Sequence, residues 1–148
     1  MNEVNDEIKK FLNFQKLGYV ATVSPNGVPN ISPKGTIIGW SKNQLAFANI
    51  HSPDTMKNLM TNPNVEINVI DPFSRKGFLF RGIAKILKNS SLFDDILKHY
   101  RDSGIKSPIH SIILVDLIEI SGVRSPLYDL GISEEEIMSK WKKHFGIS

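Results

Sequence analysis

Apolar residues Ile8, Phe11 and Leu12, with Phe14 beyond them, recur every three or four positions in NDEIKKFLNF. That is the period of an amphipathic helix over residues 3–14. The pattern then changes. GYVATVSPNGVPNISP carries two β-branched runs around Asn26-Gly27, a pair that tolerates the positive φ of tight hairpin turns, and so reads as strand, turn, strand. Pro25 and Pro29 put that hairpin at an edge or a bulge. TIIGWSKNQLAFAN repeats the form, with Ser41-Lys42-Asn43 turning between Thr36–Trp40 and Gln44–Asn49. In HSPDTMKNLMTNPN, Ser52 stands at a helix N-cap, Pro53 at the first helical position and Asp54 in the first turn. Met56, Leu59 and Met60 share a face, and Asn62-Pro63 stops the helix.

VEINVID alternates cleanly, as a half-buried strand should. GFLFRGIAKILK is a longer strand whose central Gly82 predicts a bulge or a close backbone approach. HSIILVDLIEIS is a further strand, apolar enough to be buried over most of its length. Between them SSLFDDILKHYRDSG forms a helix capped by Ser90 or Ser91. GISEEEIMSKWKKHFG holds a capping box, Ser133 with Glu136, with acids in its first turn and Lys140, Lys142, Lys143 and His144 late, as the helix dipole favours. Six or more mostly antiparallel strands with so few helices to cover them are expected to close on themselves as a small barrel.

At 148 residues and 41% hydrophobic content the chain suffices for one domain spanning 1–148: an N-terminal helix (1–16), a barrel (17–122) and a C-terminal segment with its helix (123–148). The formal charge of +3 arises from 18 basic and 15 acidic residues dispersed along the chain, so no nucleic-acid-binding patch is implied. Nor is there an aromatic platform interleaved with a basic groove for single strands. The absence of cysteine removes disulfides, thiolate catalysis and thiolate metal sites. MNEVNDEIKKFLNF has neither the basic start nor the apolar run of a signal peptide, so no membrane association and a cytoplasmic location are expected.

His51, His99, His110 and His144 lack paired metal-ligand spacing, so no zinc site is expected. No nucleophile elbow, G-x-G-x-x-G or Walker A loop is present, and no residue is marked as a catalytic acid or base. What remains is a phosphate-binding opportunity. The start of the Ser52 helix offers unpaired amides and partial positive charge beside the Ser52 and Thr55 hydroxyls, and Lys34 could add a full charge. The two hydroxyls would equally serve as plain helix caps. If ISPKGT and LAFANI are neighbouring strands of one hairpin, their backbones border a strip where a flat heteroaromatic ring with a phosphate tail fits. Gly35 and Ala48 would leave it room. Trp40, Trp141, Phe73 and Phe78 read as core or interface aromatics.

The order GYVATVSPNGVPNISPKGT, LAFANIHSPDTMKNLMTNPNVEINVID, GFLFRGIAKIL resembles the pyridoxamine 5'-phosphate oxidase-like FMN-binding split barrels, over residues 17–88. The most specific part is a strand ending in Ala-Asn, followed by a Thr-x-x-Asn-Leu helix and Asn-Pro. The resemblance implies a six-stranded antiparallel split β-barrel with short flanking helices, mainly β with α. It implies a homodimer with FMN at the subunit interface and a small-molecule substrate. On matching positions, Ser32, Pro33, Lys34, Gly35 and Thr36 would run along the flavin and ribityl chain, with Phe47, Ala48 and Asn49 on its other side. Ser52, Thr55 and Asn58 would meet the phosphate. Gly77 and Phe78 would approach the ring, and Arg124 and Tyr128 would reach across the dimer. The chain ends in SKWKKHFGIS where the full oxidase has an arginine-rich segment, and it has Asp54-Thr55 where a basic pair would stand. Vitamin B6 oxidase activity is therefore not expected, and the cofactor phosphate would rest on hydroxyls and amides more than on arginines. The implied function is electron or hydride transfer between a reductant such as NAD(P)H and a small acceptor. Its rivals are non-catalytic flavin binding or redox sensing, or a related barrel holding a deazaflavin or haem, His51 or His110 being the ligand in the last case.

Overall fold

The computed structural model describes residues 3–148. Helix α1 (Asp6–Gln15) starts where Asn5 caps it, the Asn5 side chain accepting from the Ile8 amide at 2.9 Å. That cap places the start later than the apolar period alone suggests. The hairpin β1 (Gly18–Val23) and β2 (Pro29–Lys34) turns through Gly27 at φ 78°, as its Asn-Gly pair requires. The second hairpin is β3 (Ile38–Ser41) and β4 (Gln44–Asn49). Then follow α2 (Pro53–Thr61), β5 (Asn64–Asp71), β6 (Lys76–Leu87), α3 (Ser91–Asp102, capped by Ser90), β7 (Ser111–Arg124), a 3-10 turn at Pro126–Tyr128, and α4 (Glu134–His144, capped by Ser133).

The strands form one antiparallel sheet in the order β2-β1-β5-β6-β7-β4-β3. This is the split barrel, with seven strands where six were expected. The proline-bearing β2 takes a place because an edge strand loses no ladder bond to a missing N–H. The barrel is not closed by hydrogen bonds, since β2 and β3 are the two edges and do not pair with each other. Residues 35–37 cross the split, and the Thr36 Oγ1 accepts from the Ala48 amide at 2.9 Å. The expectation that ISPKGT and LAFANI are neighbours in one hairpin is therefore corrected. The tight Asn-Gly turn commits β2 to β1, whereas β4 pairs with β3 and β7.

The β6 ladder shifts register between Arg81 and Gly82, the bulge anticipated at that glycine. A Cβ on Gly82 would sit 2.5 Å from the Asp116 carbonyl oxygen, so only glycine lets β6 and β7 approach there. The alternation of β4 and β7 divides the interior. Leu45, Phe47, Ile113 and Val115 face the barrel, whose end α1 closes with Ile8 and Leu12, joined by Val4 just before the helix. Ala46, Ala48, Ile112 and Leu114 face outward, and α3 covers them with Ile96 and Tyr100. Past the bulge β7 has no such cover: Ile118 is 64% exposed. The sequence expectation of a strand buried over most of its length holds for residues 111–115 and Ile120 only.

Candidate functional site

Along β2 the residues Asn30, Ser32 and Lys34 alternate onto the partly buried face, while Pro29, Ile31 and Pro33 are exposed. That face meets the start of α2. The Lys34 ammonium donates to the Ser32 Oγ at 2.7 Å and to the Ser52 Oγ at 2.6 Å, joining two elements 18 residues apart. Ser52 occupies the N-cap position of α2, but its hydroxyl receives the lysine and does not cap. The Asn49 Oδ1 accepts the Ser52 amide at 3.2 Å, and the Asn49 Nδ2 donates to Ser111 at 3.0 Å, tying the end of β4 to this corner.

The consequence is an open helix start. Pro53 has no N–H, and among the described residues no acceptor meets the Asp54 or Thr55 amide. Two free amides, the positive end of a helix and a lysine therefore converge beside a cleft of about 220 Å³ lined by Ser32, Ser52, Thr55 and His51 among others. Burial without a carboxylate partner lowers the Lys34 pKa below 10.5. An anion at this corner would supply the missing counter-charge.

The expected site residues fall into two groups. Ser32, Pro33, Lys34, Gly35, Thr36, Asn49, Ser52 and Thr55 gather around the split and the start of α2. Phe47 and Ala48 lie on β4 with side chains buried in the two cores, and the Ala48 amide is taken by the Thr36 hydroxyl. Asn58 is turned inward, its amide donating to the Thr22 Oγ1 at 3.0 Å. The Tyr100 hydroxyl donates to the Thr36 carbonyl at 2.8 Å and, deep in the core, has its pKa raised by burial. Tyr100 thereby fixes the crossing segment, and nothing in the sequence marked it. Asn30, also on the cleft wall, was missed as well, whereas His51 on the same wall was weighed only as a haem ligand. The period-2 placement of Asn30 with Ser32 and Lys34 was the signal for the first.

Gly77, Phe78, Arg124 and Tyr128 form the second group, at the start of β6 and the end of β7. Phe78 lies three strands from Lys34 in the sheet order, about 14 Å along the sheet. Arg124 pairs with Asp129 at 2.6 Å, and the Tyr128 hydroxyl donates to the Ser74 carbonyl at 2.6 Å, so within one chain both fasten the C-terminal segment.

A family model described as Pyridoxamine 5'-phosphate oxidase matches residues 4–123, and the chain belongs to that family of flavin-binding, oxidoreductase-like proteins. Among solved structures, HupZ of Group A Streptococcus is 26% identical at a TM-score of 0.73, over 82% of this chain and 94% of that one. An F420 reductase is 26% identical at a TM-score of 0.57, over 76% of this chain and 94% of that one. An FMN-binding protein from Syntrophomonas wolfei shares the fold at 17% identity and a TM-score of 0.69, over 79% and 84%. No curated protein matches the chain.

Proposed function

We propose that this protein binds FMN and serves as a small oxidoreductase, transferring electrons or hydride between a reductant such as NAD(P)H and a small acceptor. The observation that carries the reading is the Lys34 ammonium held between Ser32 and Ser52 at the uncapped start of α2. Lys34 and the Asp54 and Thr55 amides bind the cofactor's phosphate, and the Ser32 and Ser52 hydroxyls orient the lysine. Gly35 and Thr36 pass beside the ribityl chain, with the backbone of Phe47 to Asn49 opposite. The isoalloxazine, when bound, supplies the redox chemistry itself, so a chain without an acid–base set suffices.

The active unit in this reading is a homodimer in the cytoplasm. The outer face of β1 and β2 supports it, because Tyr19 and Ile31 are 48% and 67% exposed there. No helix among the described residues is long and apolar enough to cross a membrane. A deazaflavin is the second reading, favoured by the F420 reductase neighbour. The test is the visible spectrum of purified protein after loading with FMN and desalting. About one retained flavin per chain supports the proposal, and a colourless protein that keeps none contradicts it. Retention of F420 but not FMN selects the second reading.

A further inference from the structure

We propose that Tyr100 of α3 is a positioning residue for the ligand site: through one hydrogen bond it holds the Gly35–Thr36 backbone in the place from which that backbone meets the cofactor. The inference rests on the reading of Gly35 and Thr36 as facing the flavin.

The crossing needs an anchor. Residues 35–37 run between the edge strands β2 and β3 and belong to neither, so no ladder register fixes their path. Gly35 gives no hold. A Cβ there would meet only the Lys16 carbonyl oxygen, at 3.4 Å, among the described residues, and its φ is not left-handed, so neither crowding nor a special turn restrains it. Beyond Thr36, Ile37 is buried in the barrel core and Ile38 in the outer one, so the chain changes cores at this point.

Thr36 is the residue that is held. Its Oγ1 accepts from the Ala48 amide at 2.9 Å and its carbonyl accepts from the Tyr100 hydroxyl at 2.8 Å, so β4 grips the side chain and α3 the main chain. Tyr100 is 1% exposed in the core that holds Ile96, Ile112 and Leu114, where a phenylalanine would pack equally well and a hydroxyl without an acceptor would destabilise. The ring therefore serves the core, and the hydroxyl serves Thr36. Burial raises the Tyr100 pKa, so the group stays a donor throughout the neutral range. With the carbonyl released, Gly35 and Thr36 would move on a glycine pivot beside Lys34, and a ligand would have to order them again on binding. Tyr100 orders them beforehand.

Flavin titration of Tyr100→Phe, with Ile96→Val as its control, tests this on the full chain. Both substitutions trim the buried face of α3, but only the first touches Thr36. Tyr100→Phe should weaken FMN and riboflavin alike, ~3- to 10-fold, because the two share the part that Gly35 and Thr36 meet. The ratio of the two affinities should stay as in wild type. Ile96→Val, which loosens the same core, should leave both affinities unchanged. In the chain without flavin, amide exchange at residues 35–37 should quicken at least ~5-fold in Tyr100→Phe and not in Ile96→Val. Wild-type affinity in Tyr100→Phe, an equal loss in Ile96→Val, or a changed ratio of FMN to riboflavin would each overturn the proposal. A wild type that keeps neither flavin would contradict the flavin reading instead, and the exchange measurement would then decide on Tyr100. Quickened exchange keeps it as the anchor of the crossing, and unchanged exchange overturns that role as well.

Discussion

The corner where β2 meets α2 and the crossing at Thr36 are neighbours in the chain, yet they are built on opposite terms. At the corner the side chains that meet are polar and engaged with one another. Lys34 bridges Ser32 and Ser52, Asn49 holds the Ser52 amide, and what is left open is a set of helix N–H groups and a lysine without a counter-charge. At the crossing the groups are buried and uncharged, and the carbonyl and hydroxyl of Thr36 are each taken by a partner from another element. The first arrangement selects a phosphate and fixes its position. The second selects nothing by charge and holds the path of the chain beside the ligand.

Both regions rest on one interior, so the largest effect comes from removing what they share. Phe80 is fully buried in the barrel core, where Ile37 of the crossing also packs. Phe80→Ala should cost about 3–5 kcal/mol in urea unfolding and disturb both regions together, and a loss under about 1 kcal/mol would show that the interior is not common to them.

Lys34→Met separates the regions. It should weaken FMN ~10- to 100-fold, a charge-assisted contact being lost at a part-buried site, with amide exchange at residues 35–37 unchanged. Titration and exchange together check this, and a quickened exchange would dissolve the distinction.

The same lysine gives the corner a pH signature. Its folded pKa lies below the unfolded 10.5, so the native chain gives up this proton first and the desolvation penalty is relieved as pH rises between the two values. Stability therefore gains from Lys34 across that alkaline window, while FMN affinity falls there as the charge is lost. Lys34→Arg should keep affinity through the window, and a wild-type affinity flat across it would remove the lysine from the phosphate's charge balance.

The smallest effect lies outside both regions. Asp116 has its pKa lowered by Lys85 and Gln44 on the surface. Its stabilisation is present above the unfolded value near 3.8 and lost as pH falls through the folded one. Lys85→Ala should cost under about 1 kcal/mol in thermal melts and leave FMN affinity unchanged.

The corner was legible in sequence because its parts are local and typed: an Asn-Gly hairpin ending in Ser-Pro-Lys, and a Ser-Pro helix start. Pairing between distant strands was not. Nothing in ISPKGT and LAFANI states that one forms an edge strand and the other lies four strands beyond β1, a fact set by which strands β1 and β7 recruit. Tyr100 was invisible for the same reason, since its hydroxyl meets Thr36 64 residues away. Gly82 announced its bulge because a mid-strand glycine needs a reason.

The most direct test of the central claim is a comparison of FMN with riboflavin, which differ by the phosphate alone, on wild type and Lys34→Met. The account predicts that wild type prefers FMN by at least ~10-fold and that the preference collapses in the variant. Equal affinity of wild type for the two flavins would contradict it.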